Sequence, residues 1–176
     1  LAGETSDKSR RFVDGFVPDL PGFEAADPLF AWVVHVVRGA LPATANRERT
    51  ALCVAALGLP STGTVRASAG SMLAELGVDV PWLSGGHPLD RAPAAAPALL
   101  AAQLLGLGGE VDAVDAACAS GLYAVRIACD RLASGAADCA IAAAVNRADA
   151  SYLGIGFSRL LALSPQGTPR PLDRRA

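Results

Sequence analysis

Apolar side chains recur along the chain with two different periods, which distinguish candidate helices from candidate strands. After an irregular lead-in over residues 1–24, Asp27 and Pro28 precede a stretch in which apolar residues follow one another at spacings of three and four. The residues that share this face are Phe30, Val33, Val34, Val37 and Leu41. The spacing predicts a helix over 29–41 that buries one side. An aspartate cap and a proline at the first helical position favour its start.

Short, continuous apolar runs predict strands that are buried on both faces. Runs of this kind occupy residues 51–58, 110–116 and 139–145. They are typical of parallel strands that helices cover on either side. Helices are also predicted over 68–76 and 93–105, so the order of elements indicates an α/β layered domain.

The segment between the last two strands, residues 119–134, also has helical spacing. Its predicted buried face consists of Leu122, Val125, Cys129 and Leu132. Arg131 lies on the opposite side, and Gly135 is well placed as the C-terminal cap. A strand, a helix and a strand within roughly 35 residues predict a right-handed parallel crossover.

Composition narrows the class of protein. Of 176 residues, 52% are hydrophobic and 18% are charged, which is typical of a globular domain with a buried core. The net charge is −2 and Lys8 is the single lysine, so nucleic acid is not an expected partner. No apolar stretch is long enough to span a bilayer and no secretory signal is present, so a soluble, cytoplasmic protein is expected. The chain opens on Leu1 and closes in mid-pattern, which predicts a piece of a larger protein.

The four cysteines are candidate reactive or structural thiols. They show neither a CxxC pair nor a cysteine–histidine cluster at zinc spacing, so neither a metal nor a bound cofactor is predicted. Cys53, Cys129 and Cys139 lie in predicted apolar elements and should be core residues. Cys118 lies where a strand gives way to a helix.

Two interpretations of Cys118 follow from that position. The first turn of a helix offers unpaired N–H groups and a positive dipole end, which favour a nucleophilic thiolate. Small neighbours, Ala116 to Gly121, would leave room for a substrate. Alternatively, Cys118 is a small buried side chain, as most free cysteines are. Asp115 is expected to accept hydrogen bonds from the backbone of the turn rather than to act in acid–base chemistry.

From Cys118 onward, several motifs resemble those of β-ketoacyl synthases, condensing enzymes of the thiolase fold. Val114 to Leu122 is similar to the family's nucleophile motif, and 128–135 and 138–146 to the helix and strand that follow it. The other segments that match in order and spacing are 27–41, 49–50, 156–160, 162–165 and 170–173. The resemblance covers 25–176 and points to fatty acid and polyketide assembly. Within it, the motif around Cys118 is similar to polyunsaturated fatty acid synthases and iterative polyketide systems.

The resemblance implies a fold, a reaction and partners. The fold would be the N-terminal part of a thiolase-like layer structure, a mostly parallel mixed sheet with helices on both faces. Cys118 would accept an acyl group from a phosphopantetheine thioester of acyl carrier protein. A malonyl-type thioester would then lose carbon dioxide and attack the acyl-cysteine. The family also implies a homodimer with the strand 110–116 near its axis.

Other residues mark where the chain departs from a whole condensing enzyme. Phe157 would line the acyl pocket, with an ordinary core aromatic as the equal alternative. The family takes two catalytic histidines from its second half, whereas His35 and His87 match neither position. The chain is therefore expected to be inactive alone. A non-catalytic partner of the condensing fold, similar to chain-length factors, and a degradative thiolase are the alternative functions.

Overall fold

The computed structural model describes residues 28–56, 62–81, 95–145, 151–163 and 173–174. The elements within them are α1 (Pro28–Ala40), β1 (Thr50–Ala56), α2 (Thr62–Glu75), α3 (Ala96–Leu105), β2 (Val111–Val114), α4 (Ser120–Ala133), β3 (Cys139–Val145) and α5 (Ser151–Arg159). The chain divides into two compact units, one of Val17–Asn146 and one of Leu1–Phe16 with Arg147–Ala176. All of these elements except α5 therefore belong to the first unit. The predicted lead-in over 1–24 lies outside the described residues.

The three strands form a parallel sheet in the order β2-β1-β3. Leu52 at the centre of β1 pairs with Val111 on one side and with Ile141 on the other. Because β1 has a neighbour at each edge and helices over each face, it is buried from Thr50 to Ala55. A central strand of a parallel sheet is buried on both faces, and for this reason the sequence of β1 is continuously apolar. The α/β fold that the sequence predicted is confirmed, and β1 lies between the two strands that α4 connects.

One face of the sheet is covered by α1 and α3. Leu52 and Val54 point to this side and pack in one cluster with Val33, Val37 and Ala101. The predicted inward face of α1 is confirmed from Phe30 to Val37, since alternate three- and four-residue spacing keeps those side chains on one side. This cluster is the larger of the two cores that flank the sheet.

The opposite face of the sheet carries α4 and a smaller core. Cys53 and Ala55 alternate with Leu52 and Val54 along β1, so they point to this side and contact Ala124 and Ala128. The predicted inward face of α4 is therefore wrong. Leu122 is 77% exposed, Val125, Cys129 and Leu132 are exposed as well, and small residues face the strands instead. Alanine against alanine allows the helix to lie close to the sheet, where leucine would not fit.

The turn between α3 and β2 depends on two glycines. Gly106 caps α3 with a φ of 65°, and its N–H bonds the carbonyls of Ala102 and Gln103. At Gly109, an added Cβ would lie 2.5 Å from the carbonyl carbon of Thr50 and 2.7 Å from the nitrogen of Ala51. The chain can therefore approach the start of β1 only where a side chain is absent. Gly135 ends α4 with a φ of 72°, as the sequence predicted.

Several elements differ from their predicted bounds. The strand predicted over 110–116 is limited to Val111–Val114, because the backbone turns at Asp115 toward α4. The helix predicted over 68–76 begins earlier, at Thr62. Helix α3 is described from Ala96 only, and β1 to Ala56, so the remaining predicted residues of both elements lie outside the described part of the chain.

Candidate active site

Cys118 lies in a single turn of 3₁₀-helix, Ala117–Ala119, between the end of β2 and the start of α4. This is the junction of strand and helix that the sequence predicted. The side chain is exposed to solvent and not part of either core. The alternative interpretation of Cys118 as a small buried side chain is therefore wrong. The N–H groups in the first turn of α4 point toward this end of the helix, where they favour negative charge.

The backbone before Cys118 adopts a strained conformation. Ala117 has a φ of 50°, in the left-handed region that residues with a Cβ rarely occupy. Such a conformation costs roughly 1–2 kcal/mol for an L-amino acid, so other contacts must hold it. Strain of this kind is often found next to reactive groups, because it fixes a side chain in a direction that a regular helix would not give.

The hydroxyl of Ser120 bridges the Asp115–Ala116 and Ala117–Cys118 peptide groups. Its Oγ accepts a hydrogen bond from the Ala116 N–H at 2.8 Å and donates one to the Ala117 carbonyl at 2.7 Å. Ser120 is only 4% exposed, which makes it one of the two buried polar residues of the described chain. Both of these bonds are partly buried. A single side chain, that of Ser120, therefore links two backbone groups of the turn that carries Cys118.

Asp115 supports the same turn from its other side. Its Oδ1 accepts a hydrogen bond from the Ala117 N–H at 3.1 Å. The Ala119 N–H bonds the Ala116 carbonyl at 3.1 Å. The predicted structural role of Asp115 as a backbone acceptor is confirmed. The sequence did not indicate Ser120, although a hydroxyl in the first turn of a helix is a familiar signal for local backbone bonding.

The base of the site is built from small side chains. Ser120 and Ala124 are buried toward the sheet, and a Cβ added at Gly121 would lie 3.9 Å from the Cβ of Ala144 on β3. That is ordinary contact, so the N-terminal turn of α4 lies directly on the strand. The close approach brings the helix end and the end of β2 together and leaves Cys118 at the surface.

An ionic cluster joins the other end of α4 to β2. Arg131 bonds both carboxylate oxygens of Asp112 at 3.2 Å and pairs with Glu110 at 2.6 Å. These hydrogen bonds raise the pKa of the Arg131 guanidinium, Asp112 being the main cause. Arg131 was expected on the outer side of the helix, but the face it shares with Ala128 is the one that meets the sheet.

The remaining cysteines have distinct environments. Cys53 is buried, as predicted, and its thiol donates a hydrogen bond to Asp112 at 3.7 Å. Burial, together with the negative charge of Asp112, raises the pKa of Cys53 from 9.0 to about 11. Cys139 is only partly buried, and Cys129 is exposed on α4, so the prediction that it is a core residue is wrong. Its side chain turns outward with Leu122 and Val125.

The other candidate residues lie on other elements or outside the described chain. His35 is half-buried on α1, and His87 falls in the part that the structure does not describe. Phe157 lies on α5, in the second compact unit, and is 42% exposed. Its assignment to an acyl pocket stays a prediction. Across the described ranges, no group of three or more His, Cys, Asp or Glu is arranged to hold a metal ion. Nor does any described helix have the length and apolar character that crossing a membrane requires.

A parallel sheet between helices, with an exposed cysteine where the edge strand turns into a helix, places the chain in the α/β class of proteins. Comparison with known proteins identifies the family within that class. Residues 23–176 match the model of the β-ketoacyl synthase N-terminal domain. The chain therefore belongs to the β-ketoacyl synthase family, and the predicted thiolase-like fold is confirmed.

Similar proteins include large multidomain synthases. The chain is 40% identical over 75 residues to a PKS-NRPS hybrid synthetase of Aspergillus niger, and equally to a phenolphthiocerol/phthiocerol polyketide synthase of Mycobacterium tuberculosis. It is 40% identical over 81 residues to a polyunsaturated fatty acid synthase of Thraustochytrium. These matches cover 43–44% of this chain and 4% of each relative.

A solved structure has the same fold. The crystal structure of a β-ketoacyl synthase from Burkholderia phymatum superposes with a TM-score of 0.63 at 17% sequence identity. The match covers 91% of this chain and 42% of that protein. The chain thus spans less than half the length of its structural relative.

Proposed function

We propose that this chain supplies the acyl-accepting part of a β-ketoacyl synthase and that Cys118 is its nucleophile. The observation that carries the proposal is the exposed Cys118 thiol, held at the end of β2 next to the N-terminus of α4. A nucleophilic cysteine needs both access and an environment that favours its anion. Membership of the family supports the reaction class, condensation of acyl thioesters in fatty acid or polyketide synthesis.

The first step is acyl transfer to Cys118. The thiolate attacks the carbonyl carbon of an acyl thioester carried on the phosphopantetheine of an acyl carrier protein. A carbon–sulfur bond to Cys118 forms, the bond to the pantetheine sulfur breaks, and the pantetheine thiol takes up the proton that Cys118 has lost. The helix N-terminus assists by stabilising negative charge at the sulfur before the attack.

The second step is a decarboxylative Claisen condensation. A malonyl-type thioester releases carbon dioxide, and its α-carbon attacks the carbonyl of the acyl-Cys118. A carbon–carbon bond forms and the Cys118 thiolate leaves, so the product is a β-ketoacyl thioester on the carrier. The step uses no bound cofactor, but it needs groups that promote decarboxylation and polarise the thioester carbonyl. Neither His35 nor His87 is proposed for that role.

Two further parts of the proposal rest on the resemblance alone. Phe157, exposed on α5, would contact the acyl chain of the substrate. The active form would be a homodimer with β2 near its axis.

Acylation of the purified chain tests the assignment of Cys118. The chain is incubated with an acyl thioester of N-acetylcysteamine, and the modified residue is located by mass spectrometry of peptides. We expect one acyl group, on Cys118, because exposure and the helix N-terminus act together at this thiol alone. Cys118→Ala should lose the adduct. Cys129→Ala, which removes the exposed thiol on the same helix, should keep it.

Other outcomes would favour the alternative functions. Equal acylation of Cys118 and Cys129 would mean that exposure alone governs reactivity, and would contradict the nucleophile. No adduct at all on folded protein would favour a non-catalytic partner of the condensing fold. An acyl-Cys118 that transfers its acyl group to coenzyme A, but never reaches a malonyl thioester in the complete enzyme, would indicate a degradative thiolase.

A further inference from the structure

The turn around Cys118 contains a buried hydroxyl whose role the proposed reaction does not explain. Ser120 does not contact solvent to any large extent, being 4% exposed, and its side chain points back toward the peptide groups before Cys118. A serine at the start of a helix commonly accepts a bond from an N–H further along that helix. Here it bonds backward instead, across the residue whose thiol is the proposed nucleophile.

The two bonds of Ser120 enclose the strained residue. The Ala116 N–H lies on one side of Ala117, and the Ala117 carbonyl lies on the other. One hydroxyl thus links the Asp115–Ala116 and Ala117–Cys118 peptide groups, and the segment between them contains the φ of 50° at Ala117. Without it, Ala117 would be free to return to a right-handed conformation, since an alanine prefers that region. The direction of the Cys118 side chain would change with it, because Cys118 follows directly.

We infer that Ser120 is a positioning residue that acts through Ala117 to hold the Cys118 thiol in its reactive place. The inference rests on the proposed function, in which Cys118 is the nucleophile. It explains how the turn is held, through the two hydrogen bonds of Ser120, and it gives a role to a residue that is not proposed to touch substrate. Asp115 also bonds the same turn, through the Ala117 N–H, but from an exposed side chain.

The test measures Cys118 against a second thiol in the same molecule. Iodoacetamide labels the native chain for a short time, and peptide mass spectrometry gives the ratio of the Cys118 rate to the Cys129 rate. Cys129 is exposed on α4, away from the turn. Its labelling rate therefore reflects the reagent and the solvent exposure of a thiol, and does not depend on the conformation of the turn. Cys53 is 1% exposed, so its labelling reveals unfolding.

In Ser120→Ala, we expect the Cys118 to Cys129 ratio to fall roughly tenfold, since a displaced thiol loses its alignment with the helix end. Ser120→Thr retains the hydroxyl and should restore most of the ratio. Ser134→Ala is the matched control, because it removes a hydroxyl that bonds the Arg131 carbonyl at the other end of α4. It should leave the ratio unchanged.

A folded Ser120→Ala with an unchanged ratio would overturn the inference. If Cys53 labelling indicates that this variant has unfolded, Ala117→Gly and its combination with Ser120→Ala replace it, because glycine removes the strain at that position. In that pair the ratio should still fall when the hydroxyl is lost, because a glycine that nothing holds samples several conformations, and equal ratios would contradict the inference.

The proposed function can fail separately. If the wild-type chain takes no acyl group from the N-acetylcysteamine thioester while the labelling ratio still depends on Ser120, the nucleophile is wrong and the positioning stands. If Cys118 is acylated and the ratio is independent of Ser120, only the positioning is wrong.

Discussion

Two cysteines at neighbouring positions of the fold have opposite environments. Cys118 is exposed next to a helix N-terminus, whereas Cys53 is enclosed between β2 and α4 with a carboxylate beside it. The same chemical group is thus accessible at the end of one strand and stabilised as the neutral thiol in the middle of another. The contrast depends on position relative to the sheet, since Cys53 lies within its central strand and Cys118 lies beyond the end of β2.

The Cys53 environment predicts a loss of stability in alkali. Its pKa is raised from 9.0 to about 11, chiefly by burial. The folded state therefore keeps a proton that the unfolded state releases, so the stabilisation is complete below pH 9 and is lost as the pH rises toward 11. We expect the free energy of unfolding to fall by about 1 kcal/mol between pH 8 and pH 10 from this group. Urea unfolding at each pH measures it.

Cys53→Ala isolates the contribution of this thiol. Other groups titrate over the same range in both proteins, so the difference between the two curves belongs to Cys53. The variant should lose less stability than the wild type as the pH rises. Parallel curves between pH 8 and pH 10 would contradict the raised pKa.

Helix α4 is the element whose orientation determines the site. Its small residues Ala124 and Ala128 meet the sheet with Ile127 packed beside them, while Leu122, Val125 and Leu132 are exposed. This choice lets the helix approach β3 closely at Gly121 and brings its N-terminus to Cys118. At the other end, Arg131 bonds Asp112 on β2. The helix is thus fixed at both ends, by packing at one and by charge at the other.

The orientation of α4 predicts which substitutions the fold tolerates. Ala124→Leu should destabilise the chain by about 1–3 kcal/mol, because a leucine would have to enter a contact built for alanine. Leu122→Ala should change stability by less than about 0.5 kcal/mol, since that side chain is exposed. Urea unfolding followed by circular dichroism compares them. A larger loss for Leu122→Ala would mean that the opposite face of α4 packs against the sheet.

For the whole molecule, the question is which parts of the reaction this chain supplies. The chain matches the N-terminal domain of its family and 42% of the Burkholderia phymatum synthase. It contains the proposed nucleophile, its turn and the sheet that supports them. The two histidines of the sequence are His35 and His87, and neither is proposed to promote decarboxylation. We therefore expect the chain to carry out acyl transfer to Cys118 without the condensation that follows it.

We predict that the chain forms acyl-Cys118 but does not condense it. The acylated chain is mixed with a malonyl thioester labelled in its free carboxyl group, and released carbon dioxide and β-ketoacyl product are measured. Both should stay at the background rate, because decarboxylation needs charge stabilisation that Cys118 cannot provide. A chain extended through the second part of the family's fold should give both products. If the present chain formed the β-ketoacyl product, the prediction that it is acylated without condensing would be wrong.

Much of the fold was predictable from local pattern. The apolar spacing in α1, the continuous run in β1 and the glycine after α4 each reflect a rule that acts over a few residues. The position of Cys118 at a strand-to-helix junction followed from the same rules. The inward face of α4 did not, because both of its sides are apolar and hydrophobicity alone favours leucine and valine over alanine. The face of α4 that packs against the sheet depends on the space between the helix and the strands.

Periodicity and short motifs were enough to predict the order of elements through β3, the parallel α/β class and Cys118 as a candidate nucleophile, because each depends on a few neighbouring residues. The strand order β2-β1-β3, the inward face of α4 and the pairing of Arg131 with Asp112 could be read only from the three-dimensional structure. The same holds for the strained Ala117 and the inward hydroxyl of Ser120. These features depend on how closely a helix and a sheet approach, and that distance is set by side chains far apart in sequence.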